Sequence, residues 1–327
     1  MRAIVHLLIV ASLFALTSSS RANDPSPFSV TRLDGRLVIR RDDSPVAEFL
    51  FDDPTVRRPC FANVHAPHGT AVTRAHPPRE GIDATDHAAM HPGIWLAFGD
   101  ISGEDFWRTK ATIEHVSFRA EPQPGPDGVR FAVESRLVAS DGRVMGRIES
   151  QLAVVDRGSG RLFAWEATIH AGDRPLLFGD QEEMGFGVRL ATPLTERAGG
   201  QIRSSTGATT AAGTWGRAAA WCDDSGPADD RGGIAGITVV PGPDNFRPSW
   251  WHNRDYGLLV ANPFGRAALT GGERSGVEVV PGKPLRLLFV AIAHDRGGSE
   301  GMAHDPAAAA TDALEQARRE FADPRGD

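Results

Sequence analysis

The sequence has 327 residues, with 35 basic against 42 acidic side chains and a formal net charge of −7. An acidic chain without a basic run argues against nucleic acid or an anionic membrane surface as the partner. Beyond the N-terminus, no stretch reaches the roughly 18 apolar residues that a transmembrane helix needs, which argues against an integral membrane protein.

The N-terminus has the layout of a secretory signal peptide. Arg2 precedes an apolar run over residues 3–16, and a cleavage-like Ser-Arg-Ala sequence ends at Ala22. We therefore expect removal of residues 1–22 and a mature chain that is periplasmic or secreted. Cleavage would remove two basic residues and no acidic one, so the net charge would move from −7 to −9.

The two cysteines leave two alternatives open. An exported protein can hold a disulfide, but the sequence does not show that Cys60 and Cys222 approach closely enough to form one. Two buried free thiols are the favoured interpretation. Two cysteines are also too few for a zinc ribbon.

Short alternating runs predict β-strands along most of the chain. Residues 28–33 and 36–41 are joined by Asp34-Gly35, and three runs at 129–139, 143–155 and 161–171 follow one another through glycine-rich turns. The three runs predict an antiparallel meander. Further candidate strands are 46–51, 185–190, 217–222, 234–240, 257–261, 277–280 and 285–294.

One helix is predicted, at the C-terminus. Asp305 is suited to the N-cap and Pro306 to the first helical position, and Leu314, Ala317 and Phe321 follow at helical spacing. The pattern therefore predicts an all-β fold: one large antiparallel β-sandwich over residues 23–327, with a helix near 306–322.

Residues 52–113 are rich in Pro, His and Gly and lack a clear period, which predicts a long functional loop. His87 and His91 are spaced so that they could bind a metal ion, although Pro92 disfavours a helix there. The alternative is that both only hydrogen-bond loop carbonyls. His65, His68 and His76 are expected to be solvated.

Two further stretches concentrate polar chemistry. Residues 180–183 hold three carboxylates beside glycines, which suits acid–base work, although an ordinary acidic turn would look the same. Residues 250–256 combine two tryptophans with His252, Arg254 and Asp255. Aromatic walls with a few polar groups are typical of a sugar pocket; a tryptophan-rich core corner is the alternative.

Three motifs resemble those of the bacterial PmoA-like family, often labelled "methane oxygenase". They are residues 90–107 (MHPGIWLAFGDISGEDFW), 215–223 (WGRAAAWCD), and 251–258 (WHNRDYGL) with 261–265 (ANPFG). The resemblance covers residues 55–295. Many relatives have a His-Pro-His-His-Arg-Gly sequence where this chain has Ala88, Ala89, Met90 and Pro92 around His91, which weakens any metal site carried over from them.

The resemblance implies a secreted β-sandwich, with the galactose-mutarotase-like supersandwich as the candidate type, in company with proteins that degrade or oxidise sugars. It does not imply methane oxidation, because that enzyme subunit spans a membrane and this chain has no segment able to do so. Fold analogy of this kind sets only a prior for function.

Two hypotheses follow. The first is an enzyme that changes a glycan or an oxidised sugar by hydrolysis, elimination or epimerisation, with a divalent metal ion as a candidate cofactor. His91, Glu183, His252 and Asp255 would be catalytic, and His87 with His91 would be the metal ligands. The groups that position the substrate would be Arg58, Trp95, Asp100, Trp251, Arg254 and Tyr256. The second is a non-catalytic sugar-binding module of the cell envelope, in which His91, Glu183 and His252 would not converge on one pocket.

Overall fold

The computed structural model describes residues 26–228, 233–295 and 304–322. The expected signal peptide and its cleavage site lie outside these residues. The strands are β1 (Phe28–Leu33), β2 (Arg36–Arg41), β3 (Ser44–Leu50), β4 (Cys60–Ala62), β5 (Ile94–Phe98), β6 (Thr112–Gly125), β7 (Gly128–Val138), β8 (Val144–Arg157), β9 (Gly160–Ala171), β10 (Leu176–Phe178), β11 (Met184–Arg189), β12 (Gln201–Ser204), β13 (Cys222–Pro227), β14 (Ile234–Pro241), β15 (Trp250–Arg254), β16 (Leu258–Asn262), β17 (Val277–Val279) and β18 (Leu285–Asp295). The α-helices are α1 (Ala211–Thr214), α2 (Arg266–Thr270) and α3 (Pro306–Glu320).

Two eight-stranded sheets form the sandwich. The front sheet has the order β1-β2-β3-β4-β5-β11-β16-β15, and the back sheet has the order β12-β13-β14-β18-β9-β8-β7-β6. Adjacent strands in both sheets are antiparallel. The predicted all-β antiparallel sandwich is therefore confirmed, and so is the meander, which is β7-β8-β9.

Aromatic side chains fill the space between the sheets. Phe61 of the front sheet meets Phe163 of the back sheet edge-on, with ring centroids 5.1 Å apart, and Phe186 stacks on Phe289 at the same separation. Along each of these strands, alternate side chains point into the space between the sheets, so each strand presents an apolar face to the core. Burial of this core is the main force that holds the two sheets together.

The predicted C-terminal helix is confirmed as α3. The Asp305 side chain accepts hydrogen bonds from the amides of Ala307 and Ala308, which caps the helix. Its apolar face packs on the outer surface of the back sheet through alanines 309, 310, 313 and 317. Among the residues described, no helix has the length and apolar character needed to cross a bilayer.

The structure corrects several strand predictions. The expected strand at 217–222 begins only at Cys222 and runs to Pro227. The irregular stretch 52–113 contains β4 and β5, whose residues are all buried and therefore show no alternation. Edge strand β6 was missed because it is largely exposed, irregular in register and carries Pro122 and Pro124, as edge strands tolerate.

Both cysteines are buried free thiols, as favoured by the sequence. Cys60 packs on the outer face of the front sheet and Cys222 lies in the core between the sheets. Their side chains therefore occupy different layers of the molecule.

Candidate functional site

The outer face of the front sheet brings most of the predicted site residues to one side of the molecule. Trp95, Gly187, Val260 and His252 are successive partners across β5, β11, β16 and β15. Directly opposed side chains point to the same face of an antiparallel sheet. Three strand spacings separate the Cα atoms of Trp95 and His252, or about 14 Å.

His91 lies at the Trp95 end of this row. Its ring stacks on Trp95 with centroids 5.2 Å apart and planes 10° from parallel. The indole N–H of Trp107 donates to Nε2 of His91 at 3.4 Å, so in the neutral ring the proton resides on Nδ1. That Nδ1 is buried and has no hydrogen-bond partner among the residues described. Burial, followed by the charge of Arg189, lowers the pKa of His91 to about 2.

Gly187 explains why this stack lies close to the sheet. A Cβ atom at this position would come within 2.5 Å of the Trp95 indole ring. The missing side chain therefore lets the indole lie flat across β11, and the ring provides the surface on which His91 rests.

Buried arginines fasten the loop that carries His91. Arg74 donates to the carbonyl oxygens of Ala84 at 3.0 Å and of His91 at 2.8 Å. Arg189 donates two hydrogen bonds to the Asp86 carboxylate, at 3.0 and 2.9 Å. Burial alone would raise the pKa of Asp86, but the hydrogen bonds and the charge of Arg189 hold it below its usual range.

Arg58, predicted to position a substrate, has the same fastening role. It is buried and donates to the carbonyl oxygen of Trp107 at 3.0 Å and to that of Met90. Its guanidinium carbon lies 5.7 Å from the centre of the Trp95 ring. The loop over Trp95 is thus held from both sides by guanidinium groups whose donors point at its backbone.

His87, the other predicted metal ligand, is exposed and bonds to Asp86 through Nδ1 at 2.9 Å. Its ring centroid is 5.2 Å from that of His91. Of the remaining loop histidines, His68 is exposed as expected, whereas His65 and His76 are half-buried.

His252 lies at the other end of the row, with different neighbours. Its Nδ1 donates to the backbone carbonyl of Glu182 at 2.9 Å, because a carbonyl can only accept. The proton is therefore fixed on Nδ1, and Nε2 is left as an acceptor that faces the Glu182 carboxylate at 3.9 Å. Burial lowers the pKa of His252 to about 4, against the weaker effect of the Glu182 carbonyl. The ring is thus neutral near pH 7.

Two Glu–Arg pairs flank His252. Glu182 binds Arg254 at 3.2 Å, and the neighbouring Glu183 forms an ion pair with Arg108. These four side chains are between one fifth and one half exposed, whereas His252 is buried beneath them. We call these five residues, Arg108, Glu182, Glu183, His252 and Arg254, the Glu–Arg patch.

The backbone beneath the Glu–Arg patch is fixed by Asn262. Its side-chain amide donates to the carbonyl oxygens of Gln181 and Glu182, at 2.7 and 2.9 Å. Its Oδ1 accepts the amides of Phe264 and Gly265, both at 2.8 Å. The acidic turn is therefore a rigid support.

A cavity of about 480 Å³ opens beside the patch. Trp215 forms one wall, and its ring lies 4.1 Å from the guanidinium carbon of Arg254 and meets the His252 ring edge-on at 4.8 Å. Polar groups in the lining come from Glu196, Asn253, Arg254 and Asp255. The volume is in the range of pockets that hold small ligands.

The four remaining predicted residues have other partners. Trp251 is fully buried in the core, where its indole N–H donates to the Ala219 carbonyl. Asp100 accepts the amide of Gly103 at 2.9 Å within a turn. Asp255 lines the cavity and pairs with Arg197 at 3.0 Å.

The last of the four, Tyr256, is half-buried near the His91 loop. The guanidinium carbon of Arg189 lies 4.5 Å from the centre of its ring, and that of Arg197 lies 5.3 Å away on the more exposed side. Tyr256 therefore covers the Arg189–Asp86 pair rather than the Glu–Arg patch.

The sequence reasoning missed Glu182, Arg108 and Trp215, and also the fastening roles of Arg74 and Arg189. Trp215 begins the motif at residues 215–223, whose sequence alone indicates no role for it, and Glu182 stands in the acidic turn beside Glu183. Arg74 and Arg189 gave no signal, because nothing in a single sequence shows that an arginine will be fully buried.

A separate cluster lies on the outer face of the back sheet. Asp223, His294 and His304 form the one group of three or more His, Cys, Asp or Glu side chains in the described part of the chain whose ligand atoms all lie within 4.8 Å of each other. Sequence reasoning did not find it, because its members are up to 81 positions apart and belong to different elements.

A family model described as a family of unknown function, DUF6807, matches residues 36–307. Among curated protein sequences, none matches significantly. Similar solved structures include a putative kojibiose phosphorylase from the human microbiome, with 5% identity, 62% of this chain covered and a TM-score of 0.33. This chain spans 23% of that protein. Galactose 1-epimerase from Lactobacillus acidophilus NCFM is 5% identical, with 83% of this chain and 98% of the epimerase covered and a TM-score of 0.42. Values this low leave the function to be argued from the site itself.

Proposed function

The chain belongs to the family of unknown function DUF6807, and we propose from its own site that it acts on a sugar or a sugar-derived small molecule at the Glu–Arg patch, with His252 as general base. One observation carries this proposal. His252 is neutral, its Nδ1 proton is fixed on a backbone carbonyl, and its Nε2 lone pair faces a carboxylate beneath a partly exposed polar surface. This is the arrangement by which a carboxylate stabilises an imidazole that gains a proton.

The side chains around His252 would supply the other groups that proton transfer and ligand binding require. A proton taken by Nε2 would place a positive charge 3.9 Å from the Glu182 carboxylate, which favours that transfer. Arg254 would hold Glu182 in place and offer its other N–H groups to a ligand oxygen. Glu183 forms an ion pair with Arg108 and carries no proton to donate, so the His252 imidazolium itself would return the proton it has taken, and Glu183 would act as a hydrogen-bond acceptor for a ligand hydroxyl.

A sugar is the ligand class that these walls favour. Trp215 supplies an aromatic surface for the C–H faces of a pyranose, and Glu196, Arg254 and Asp255 supply partners for hydroxyl groups. The volume of about 480 Å³ suits a small sugar. The PmoA-like resemblance of the three motifs favours the same class of ligand, and the predicted signal peptide would direct the protein to the periplasm or outside the cell.

A non-catalytic sugar-binding module is the second candidate, favoured by the separation of the predicted catalytic groups. His91 bonds to Trp107, Glu183 to Arg108, and His252 to the Glu182 backbone. A binder would use Trp215 and Arg254 without any proton transfer.

The test is a screen of purified protein against plant and algal oligosaccharides and 3-keto-glycosides, with and without EDTA. We expect turnover of at least one sugar class by the natural protein and its loss in His252→Gln. His170→Gln, which changes a half-buried histidine on β9, is the matched control and should retain activity. Binding that survives in His252→Gln without turnover by either protein would establish the module. Neither binding nor turnover of any sugar would refute both candidates.

A further inference from the structure

We propose that Asp223, His294 and His304 bind a divalent transition-metal ion, with Zn²⁺ as the best match, at the outer face of the back sheet. The three side chains come from β13, the end of β18 and the residue before the N-cap of α3. This site is independent of the Glu–Arg patch, which lies on the outer face of the other sheet.

The ligand atoms already have nearly the spacing that the ion requires. Nε2 of His294 lies 2.8 Å from Oδ1 of Asp223, and Nε2 of His304 lies 3.8 Å from the same oxygen. Tetrahedral zinc with bonds of roughly 2.0–2.2 Å keeps its ligand atoms about 3.4 Å apart. The two observed distances lie on either side of this value, and all three ligand atoms lie within 4.8 Å of one another. The imidazole rings are stacked with centroids 3.6 Å apart, so binding would require them to rotate until both nitrogens face the ion.

Surrounding hydrogen bonds orient the carboxylate. Thr238 donates to Oδ1 of Asp223 at 2.7 Å, while Ser225 and Arg203 donate to Oδ2 at 2.9 and 3.1 Å. Partners of this kind fix the direction of a metal-binding carboxylate, and their loss typically weakens metal affinity. Asp223 itself is fully buried, which is costly for a carboxylate unless positive charge lies close to it; Arg203 supplies one such charge at Oδ2, and a bound cation would supply another at Oδ1.

A fourth ligand position is open. His294 and His304 line a cavity of about 740 Å³, and Asp295, Asp305 and Ser159 also contribute to its lining. Three protein ligands and access to solvent are typical of zinc sites that keep one exchangeable position. The mixed imidazole and carboxylate set favours zinc or a similar first-row ion over calcium or magnesium, which prefer oxygen ligands alone.

Metal binding here would fasten α3 to the back sheet. His304 directly precedes the N-cap residue Asp305, so an ion shared with Asp223 and His294 would tie the start of the helix to two strands. We therefore expect zinc to raise the thermal midpoint of the natural protein, since a ligand that binds only the folded state stabilises it.

The experiment uses the full-length protein after EDTA treatment and dialysis. Zinc is titrated by calorimetry, and Co²⁺ is used as a spectroscopic probe of four-coordinate binding in the same site. We expect one equivalent of each ion, and an affinity reduced about 100-fold or more in His294→Gln and in His304→Gln. His68→Gln, which changes an exposed histidine at the same cavity, should retain the natural affinity.

Circular dichroism of each variant checks that the sandwich is intact, and His304→Gln is the safer variant because its side chain is only partly buried. No stoichiometric zinc binding by the natural protein, or unchanged binding in folded His304→Gln, would overturn the proposal and leave a hydrogen-bonded cluster. His252→Gln should bind zinc normally, so failure here is distinguishable from failure of the sugar proposal.

Discussion

His91 and His252 occupy two ends of one sheet face, and their surroundings differ in what each leaves free. Both rings are buried, and burial lowers the pKa of both. At His91 the accepting nitrogen is occupied by Trp107 and the loop above is fastened by arginines. At His252 the accepting nitrogen faces Glu182 beneath partly exposed ion pairs. A lowered pKa therefore does not distinguish the two histidines. They differ in whether the accepting nitrogen already has a donor and in which group that nitrogen faces.

The variant His252→Gln is the strongest test of the difference between His91 and His252. Loss of a general base typically lowers the rate by a factor of ~10² to 10⁴. We expect a loss of this size in kcat on the substrate found by the screen, with little change in the thermal midpoint, because glutamine can still donate to the Glu182 carbonyl. Steady-state kinetics and thermal unfolding of the same preparation measure both quantities. A destabilised variant with unchanged kcat would show that His252 has a structural role and is not the general base.

The fastening of the His91 loop is tested by Arg189→Met. The substitution removes two charge-assisted hydrogen bonds to Asp86, and we expect a loss of roughly 2–3 kcal/mol in the free energy of unfolding, measured with denaturant. Arg197→Met is the matched control, since Arg197 contacts the same Tyr256 ring but is exposed, and its loss should leave the free energy of unfolding nearly unchanged. Equal effects of the two variants would contradict the fastening role.

His91→Ala sharpens the distinction between the two ends. The variant loses the stack on Trp95 and leaves the buried Trp107 N–H without its acceptor. We expect a cost of about 1–3 kcal/mol in the free energy of unfolding. Turnover per folded molecule should stay within a few-fold of the natural protein. If turnover is lost while stability is unchanged, His91 has the catalytic role that the sequence motif predicts.

Acid should destabilise the fold through both histidines. Their pKa values are about 2 and about 4 in the folded protein against 6.5 ordinarily, so the unfolded chain binds more protons between pH 6.5 and 4. The free energy of unfolding therefore falls as pH drops through this window, by at most about 1.4 kcal/mol per pH unit for each histidine. Denaturant unfolding at several pH values measures the slope, which should be shallower in His91→Ala. An unchanged slope would show that His91 titrates normally.

The architecture could be predicted from sequence wherever a strand has one face in the core. β7, β8 and β9 alternate, and they were placed within a few residues. β5 is buried on both faces by the core and by the His91 loop, so it has no alternation to detect. Whether a loop covers the outer face of a strand depends on residues that are distant in the sequence. A local pattern of apolar residues therefore does not show it.

The site could be predicted only in part, for a similar reason. His252, Arg254 and Glu183 were identified because unusual polar residues cluster along the sequence. Trp251 was placed with them, although alternation along β15 turns it into the core while His252 faces outward. The Asp223 cluster could not be predicted, because tertiary pairing of β13 with β14 and of β14 with β18 brings its members together.

The packing of α3 has a practical consequence for recombinant fragments. The family match ends at residue 307, near the start of the helix, so a fragment cut there would lose the alanines that cover the back sheet. Val240, Val290 and Ile292 would then face solvent as a continuous apolar surface. Such a fragment should self-associate at lower concentrations than the full chain, and a useful fragment should therefore extend beyond residue 320.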